Sequence, residues 1–176
     1  MRYIMKAGIL YNDDALAVLA RVKSSLVGPL KKIDDNKGQL LLEADIRCLD
    51  QIKSSSGDVR NREYVLIDPE GKVVASARPG YAKGDEPDVV GWPICRMPRV
   101  DNAKLNINGT EYFLTMHNSQ NYAVTDNKNL EVLRIMHKGI AGGWVVEDDG
   151  RFAPEILCGI FVFCRYIEHE NEFLIV

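Results

Sequence analysis

The residues best suited to catalysis are few and scattered in this chain of 176 residues. Cys95, His117 and either Asn118 or Asn121 supply a nucleophile, a base and an orienting amide, the set that a small cysteine-dependent enzyme needs. No local motif joins them, and the Gly139 to Gly143 stretch lacks the Lys and Ser or Thr of a phosphate-binding loop. The sequence predicts no catalytic residue, with an enzyme using Cys95 and His117 as the alternative.

Oxygen-rich side chains cluster at three places, and such clusters are also found in calcium sites. Asp34, Asp35 and Asn36 form the first cluster. A calcium loop of the EF-hand type needs about five or six ligands at fixed positions and a closing Glu. None of the three segments has that set. We therefore expect neither a metal ion nor another cofactor.

A third group of residues has the chemistry of ligand binding and surrounds an irregular, proline-rich stretch from Gly80 to Pro98. Its cations and its tryptophan are Arg78, Lys83, Arg96, Arg99 and Trp92. An anionic headgroup needs converging cations without partners, whereas four acids nearby nearly cancel the charge: Asp85, Glu86, Asp88 and Asp101. The stretch indicates a surface for a headgroup or a protein partner, or else a solvated loop in which Trp92 caps the core.

Composition narrows the classes of partner and the compartment. Lys and Arg number 22 against 25 Asp and Glu, and the formal net charge is −3. Nucleic-acid binders show a basic excess, because neutralising phosphates supplies most of their affinity. We therefore expect no nucleic-acid partner. The N-terminal residues lack the apolar run of a signal peptide, and the four cysteines are scattered without a CxxC pair. Both features predict a cytoplasmic protein with reduced cysteines.

The elements that position these residues are β-hairpins, because one turn pattern is written three times. Each copy has Asp, two turn-forming residues and then Gly or Asn, with apolar residues on both sides. The copies are 33–41, 66–74 and 124–132. Asp accepts hydrogen bonds from amides two residues on, and Gly or Asn tolerates the left-handed backbone that reverses the chain. We therefore predict hairpins at all three places.

Further strands follow from the rest of the sequence. Asn108-Gly109 is a strong two-residue hairpin signal, and it sits within a predicted meander of four consecutive strands from Lys104 to about Lys138. Trp144 to Glu147 is predicted as another strand. The stretch from Asp14 to Val27 fits either a helix or a long irregular strand, because Leu16, Val18, Val22 and Leu26 suit both.

The C-terminal region contains nine residues without a charge, Ile156 to Cys164. A helix over Pro154 to His169 would be apolar on all sides and about 24 Å long, too short to cross a bilayer. That length matches strands of about seven residues. The sequence predicts one domain over residues 1–176, a closed antiparallel β-barrel of consecutive hairpins around this buried helix, with no transmembrane segment.

This layout resembles the tubby C-terminal-like superfamily, which includes tubby-like proteins, LURP-one-related proteins and phospholipid scramblases. The local resemblance is best where Val22-Lys23-Ser24-Ser25 leads to the first turn at 33–41. The resemblance implies a barrel threaded by a hydrophobic helix and the binding of phosphoinositide headgroups by surface Lys and Arg. It also implies scramblase-like activity as an alternative, although no lipidation motif is present. The predicted function is a non-catalytic binding module for an anionic phospholipid headgroup or a protein partner.

Overall fold

The computed structural model describes residues 1–49, 58–85, 99–118, 120–139 and 142–172. One α-helix, α1 (Pro154–Glu172), follows the last strand, and a short 3-10 turn spans Val59–Asn61. The strands of the described residues are β1 (Arg2–Lys6), β2 (Ile9–Asn12), β3 (Val18–Ser24), β4 (Lys31–Asp34), β5 (Leu40–Cys48), β6 (Arg62–Ile67), β7 (Val73–Tyr81), β8 (Val100–Ile107), β9 (Thr110–Asn118), β10 (Asn121–Asp126), β11 (Glu131–His137) and β12 (Trp144–Asp148).

The strands form one closed antiparallel barrel. Each strand is hydrogen-bonded to its neighbours in chain order, and β1 pairs with β12 to close the sheet. At this closure Tyr3 lies opposite Val146, and Arg2 lies opposite Glu147. The predicted barrel of consecutive hairpins is confirmed. The predicted meander, β8 to β11, and the strand at Trp144 are confirmed as well.

The helix α1 fills the inside of the barrel. Every residue from Ile156 to Cys164 is buried, as expected of a helix without a polar face. Gly159 lets the helix approach the sheet, because a Cβ at this position would lie 2.1 Å from Cδ1 of Leu66. The helix ends three residues later than predicted, at Glu172 instead of His169. None of the helices in the described part of the chain has the length and apolar character needed to span a membrane.

The three repeated turns have the predicted chemistry. Asp35 Oδ1 accepts hydrogen bonds from the backbone amides of Lys37 and Gln39, each at 2.8 Å. Asp68 and Asp126 accept the equivalent two bonds in their own turns. The fourth residue of each turn has a positive φ: Gly38 at 86°, Gly71 at 85° and Asn129 at 60°. The aspartates therefore bind their own backbone, as turn formation requires.

The connections alternate between the two ends of the barrel, because adjacent strands are antiparallel. We call one end the turn end. It carries the connections after β2, β4, β6, β8 and β10 and the connection from β12 to α1. The loop end carries the connections after the odd-numbered strands and also the C-terminal end of α1. There the Asn171 side chain accepts a hydrogen bond from the amide of Val100 at 3.0 Å and donates one to its carbonyl at 2.8 Å.

The ambiguous stretch from Asp14 to Val27 is a strand, so the alternative of a helix is wrong. Only Val18–Ser24 is extended, as β3. A turn precedes it, in which Ala15 has φ 58° and Asn12 Oδ1 accepts hydrogen bonds from the amides of Leu16 and Ala17 at 3.0 and 2.8 Å. This turn resembles the three repeated ones, with Asn in place of Asp. Leu16 and Leu26 lie outside the strand, in the connections at its two ends.

Candidate functional site

Two of the cations predicted from the sequence already have acidic partners. Arg78, on β7, has its Nε atom 3.4 Å from Oε1 of Glu63. Arg99 lies just before β8, with Nη2 3.3 Å from Oδ2 of Asp101. Lys83 is exposed and has no ion pair within the described residues. Arg96 and Trp92 lie outside the described part of the chain. The structure thus brings Lys83 and Arg99 to the loop end, and ligand binding by this set stays a prediction.

Tyr81, at the start of the proline-rich stretch, belongs to a half-buried cluster. Its hydroxyl donates to Oδ1 of Asp58 at 3.2 Å, and the guanidinium carbon of Arg60 lies 5.8 Å from its ring centre. Arg60 binds both carboxylate oxygens of Asp58, with Nη2 to Oδ2 at 2.7 Å. Hydrogen bonding from Arg60 lowers the pKa of Asp58 to about 2. The cluster fastens the β5–β6 connection to β7, so Tyr81 has a structural role.

The residues of the alternative enzyme site are not brought together by any contact that the structure describes. Cys95 lies outside the described residues. His117 is exposed on β9, and Asn121 Oδ1 accepts a hydrogen bond from the amide of His137 at 2.9 Å. His117, Asn121 and His137 line an open groove of about 480 Å³ on the barrel wall. The catalytic role of Cys95 and His117 remains a prediction.

Two other cysteines are unsuited to nucleophilic chemistry. Cys158 and Cys164 lie on α1 and are buried, as the sequence predicts. Burial raises the pKa of the Cys158 thiol to about 12 and raises that of Cys164 as well. Because the thiolate is the reactive form, both side chains act as packing groups. The described residues contain no group of three or more His, Cys, Asp or Glu side chains arranged to hold a metal ion.

A lysine lies on or directly beside each of three neighbouring connections at the loop end. Lys138 follows β11, Lys6 ends β1 and Lys31 begins β4, and the strands between them are consecutive around the barrel. The first two connections pack closely, since a Cβ on Gly143 would lie 3.2 Å from Cα of Lys6, and the β1–β2 turn is joined to β3 by the Gly8 carbonyl, which accepts from the amide of Val22 at 2.6 Å. We call Lys6, Lys31 and Lys138 the lysine group. None of the three has an ion pair within the described ranges.

The β3–β4 loop adds two aliphatic side chains beside the lysine group. Leu26 is 104% exposed and Val27 is 85% exposed. We call these two residues the aliphatic tip. The loop is closed by a hydrogen bond from the amide of Ser25 to the carbonyl of Leu30 at 3.1 Å. Leaving a leucine fully exposed forfeits roughly 1.5 to 3 kcal/mol of burial. The aliphatic tip is therefore an exposed apolar feature that adds nothing to the packing of the barrel.

Lysines also flank the aliphatic tip on its own hairpin. Lys23 Nζ lies 2.6 Å from Oδ2 of Asp34, and Lys32 Nζ lies 3.4 Å from Oε1 of Glu43. Both lysine side chains are more than half exposed even so. The segment therefore has the order lysine, aliphatic pair, lysine, written in the sequence as Lys-Ser-Ser-Leu-Val-Gly-Pro-Leu-Lys-Lys from position 23. Cations thus lie on both sides of an exposed aliphatic pair.

Sequence reasoning missed this site, although part of its signal was present. The apolar pattern predicts Leu26 as one position of a helix or a strand. An aliphatic pair enclosed by Ser, Gly and Pro is instead typical of a loop, and the lysines on both sides mark it further. No local sequence pattern indicates that Lys6 and Lys138 are neighbours. They are brought together by the pairing of β1 with β12, which is a long-range contact.

The fold and the site define a class of protein, a closed antiparallel β-barrel with an axial helix and a lysine-rich, aliphatic loop end. Compared with known proteins, the chain matches no family model, no curated protein and no solved structure.

Proposed function

We propose that this protein is a non-catalytic module that binds anionic phospholipid membranes through the loop end of its barrel. The observation that carries the proposal is the position of the lysine group, which lies at three adjacent connections of one end and has no ion pairs in the described residues. The phosphates and carboxylates of lipid headgroups are ligands for such cations.

The energetics favour a membrane surface over a single bound anion. Each lysine near an anionic bilayer contributes about 1 kcal/mol, and the attraction decays over about 8 to 10 Å at physiological salt. Three lysines thus contribute about 3 kcal/mol, which is about a hundredfold in affinity. No enclosed pocket is needed for this mode, since the charges act on a surface.

The connections of the turn end carry an excess of acidic residues. Acidic residues outnumber basic ones in the connections of the turn end; the acids are Asp13, Asp14, Asp35, Asp68, Glu70 and Asp149, and the bases are Lys37, Lys72, Lys128 and Arg151. An anionic surface repels these acids and attracts the lysine group. At the loop end, Glu168 and Glu170 on α1 are paired with Arg165 and Arg62. The lysine group therefore favours an approach with the loop end first.

The resemblance to tubby-like domains points in the same direction. It implies headgroup binding by surface Lys and Arg, and the cations predicted on that basis include Lys83 and Arg99. Both residues lie at the loop end, on the connection between β7 and β8. They are candidates for additional contacts with the same membrane.

Sedimentation with liposomes tests the proposal. Vesicles of phosphatidylcholine alone are compared with vesicles containing phosphatidylserine or a phosphoinositide, at low and at physiological salt. We expect binding only to the anionic vesicles, weakened by salt. Replacing Lys6, Lys31 and Lys138 by Gln should lower the affinity by about a hundredfold.

The turn end offers a matched control. Replacing Lys37, Lys72 and Lys128 by Gln removes the same net charge from the opposite end, and should leave binding within about twofold of wild type. An equal loss in the two triple variants would mean that net charge alone decides binding. Absence of wild-type binding at low salt would refute the proposal. Arg78→Gln and Arg99→Gln then measure any contribution from the β7–β8 side.

A further inference from the structure

We propose further that the aliphatic tip enters the acyl-chain region of the bilayer, so that the barrel stands end-on with α1 pointing at the membrane. This inference rests on the proposed function and adds an inserted element and an orientation to it. The tip consists of Leu26 and Val27, whose side chains are almost completely exposed. Exposed aliphatic side chains between lysines match a surface that is charged outside and apolar beneath.

The loop that carries the tip is held in place before any membrane is met. The amide of Ser25 donates to the carbonyl of Leu30 at 3.1 Å, and the Tyr166 hydroxyl from α1 lies 2.7 Å from the carbonyl oxygen of Pro29. Gly28, at φ 79°, makes the reversal between the tip and Pro29. A loop fixed at its base loses little conformational entropy on insertion, which favours binding.

The orientation follows from topology. The tip and the lysine group share the loop end with the C-terminal end of α1, while the repeated aspartate turns lie at the turn end. Leu16 and Leu26 flank β3 on its two sides, about ten residues apart, which corresponds to on the order of 25 Å along the barrel. Insertion of Leu26 therefore keeps Leu16 in water, well beyond the headgroups.

This separation supplies a matched pair of probes. Leu16 is 84% exposed, so Leu16→Trp and Leu26→Trp both place a tryptophan in solvent at little cost to folding. Tryptophan fluorescence is recorded while anionic vesicles are added, with and without bromine atoms on the acyl chains. The wild-type spectrum is subtracted, because the chain has two tryptophans of its own. We expect a blue shift and quenching for Leu26→Trp and no change for Leu16→Trp.

A second pair of variants measures the contribution to affinity. Leu26→Asp should weaken binding to anionic vesicles by about tenfold to a hundredfold, because an inserted leucine is lost and a charge is placed in its stead. Leu16→Asp introduces the same charge at the turn end and should change the affinity by less than about twofold. Thermal unfolding should be unaltered in both variants, since both side chains are exposed.

The possible failures separate the two proposals. If the wild-type protein does not bind anionic vesicles, both the proposed function and this inference are refuted. If the protein binds with the expected loss in the lysine variant, but Leu26→Trp is not quenched and Leu26→Asp binds like wild type, only the insertion is refuted. Quenching of Leu16→Trp would overturn the orientation.

Discussion

The hydroxyl oxygen of Tyr166, on the helix inside the barrel, lies 2.7 Å from the carbonyl oxygen of Pro29 in the β3–β4 loop. It also lies 3.1 Å from the carbonyl oxygen of Ala44 on β5. Burial raises the pKa of this phenol, so the hydroxyl remains a donor. The Tyr166 side chain therefore links α1 to β5 and to the loop that carries the aliphatic tip.

Replacing Tyr166 by Phe should destabilise the protein by about 1 kcal/mol, because it removes the hydroxyl donor from the buried carbonyl of Ala44 and the half-buried carbonyl of Pro29. The loss of stability should be local: hydrogen exchange should accelerate more in the β3–β4 loop than in the repeated turns. Urea denaturation measures the first effect and native-state hydrogen exchange the second. Unchanged exchange at residues 25–30 would show that the hydroxyl does not fix the loop.

The contact between Gly159 and Leu66 gives a second prediction. A Cβ at Gly159 would lie 2.1 Å from Cδ1 and 2.9 Å from Cδ2 of Leu66, and Leu66 is fully buried. Gly159→Ala should therefore destabilise the protein by about 1 to 3 kcal/mol through overpacking, although Ala gains roughly 1 kcal/mol in helix propensity. The measurement is the free energy of unfolding in urea.

A double-mutant cycle tests the cause of that loss. Leu66→Val shortens the side chain that the new methyl group meets, so Gly159→Ala should cost less in this background than in the wild type. Additive effects of the two substitutions would contradict a direct clash between them.

The fold could be predicted from the sequence because its signals are local. The aspartate turns contain all their hydrogen-bonding groups within about five residues, and an uninterrupted apolar run indicates the helix. The turn after β1 shows the limit of this reasoning. Ala7 and Gly8 have φ values of 50° and 75°, and Ala in the left-handed region has no sequence signature.

The candidate site could not be predicted in the same way. Lys6 and Lys138 are far apart in the chain, and they become neighbours only because β1 pairs with β12. Leu26 fits a periodic apolar pattern, which predicts a buried side chain, whereas Leu26 is fully exposed. The cations chosen from the sequence surrounded one irregular stretch, where Arg78 and Arg99 prove to have the acidic partners Glu63 and Asp101.

The half-buried ion pair between Asp58 and Arg60 predicts a specific pH dependence of stability. The pKa of Asp58 is about 2 in the folded protein, chiefly because Arg60 binds the carboxylate, against roughly 3.9 in an unfolded chain. A lowered carboxyl pKa stabilises the fold above the unfolded value and ceases to do so as pH falls through the folded value. The contribution of about 2 kcal/mol should therefore disappear between about pH 4 and pH 2.

Unfolding free energies of wild type and Asp58→Asn, measured in urea across this pH range, isolate that contribution from other carboxylates, which titrate in both proteins. The variant should be less stable at pH 5, and its curve should approach that of the wild type near pH 2. Arg60→Gln should flatten the same segment of the curve, because the guanidinium is the main cause of the lowered pKa. Parallel curves for wild type and Asp58→Asn would show that the carboxylate titrates alike in the folded and unfolded states, and hence that Arg60 does not hold it in its charged form.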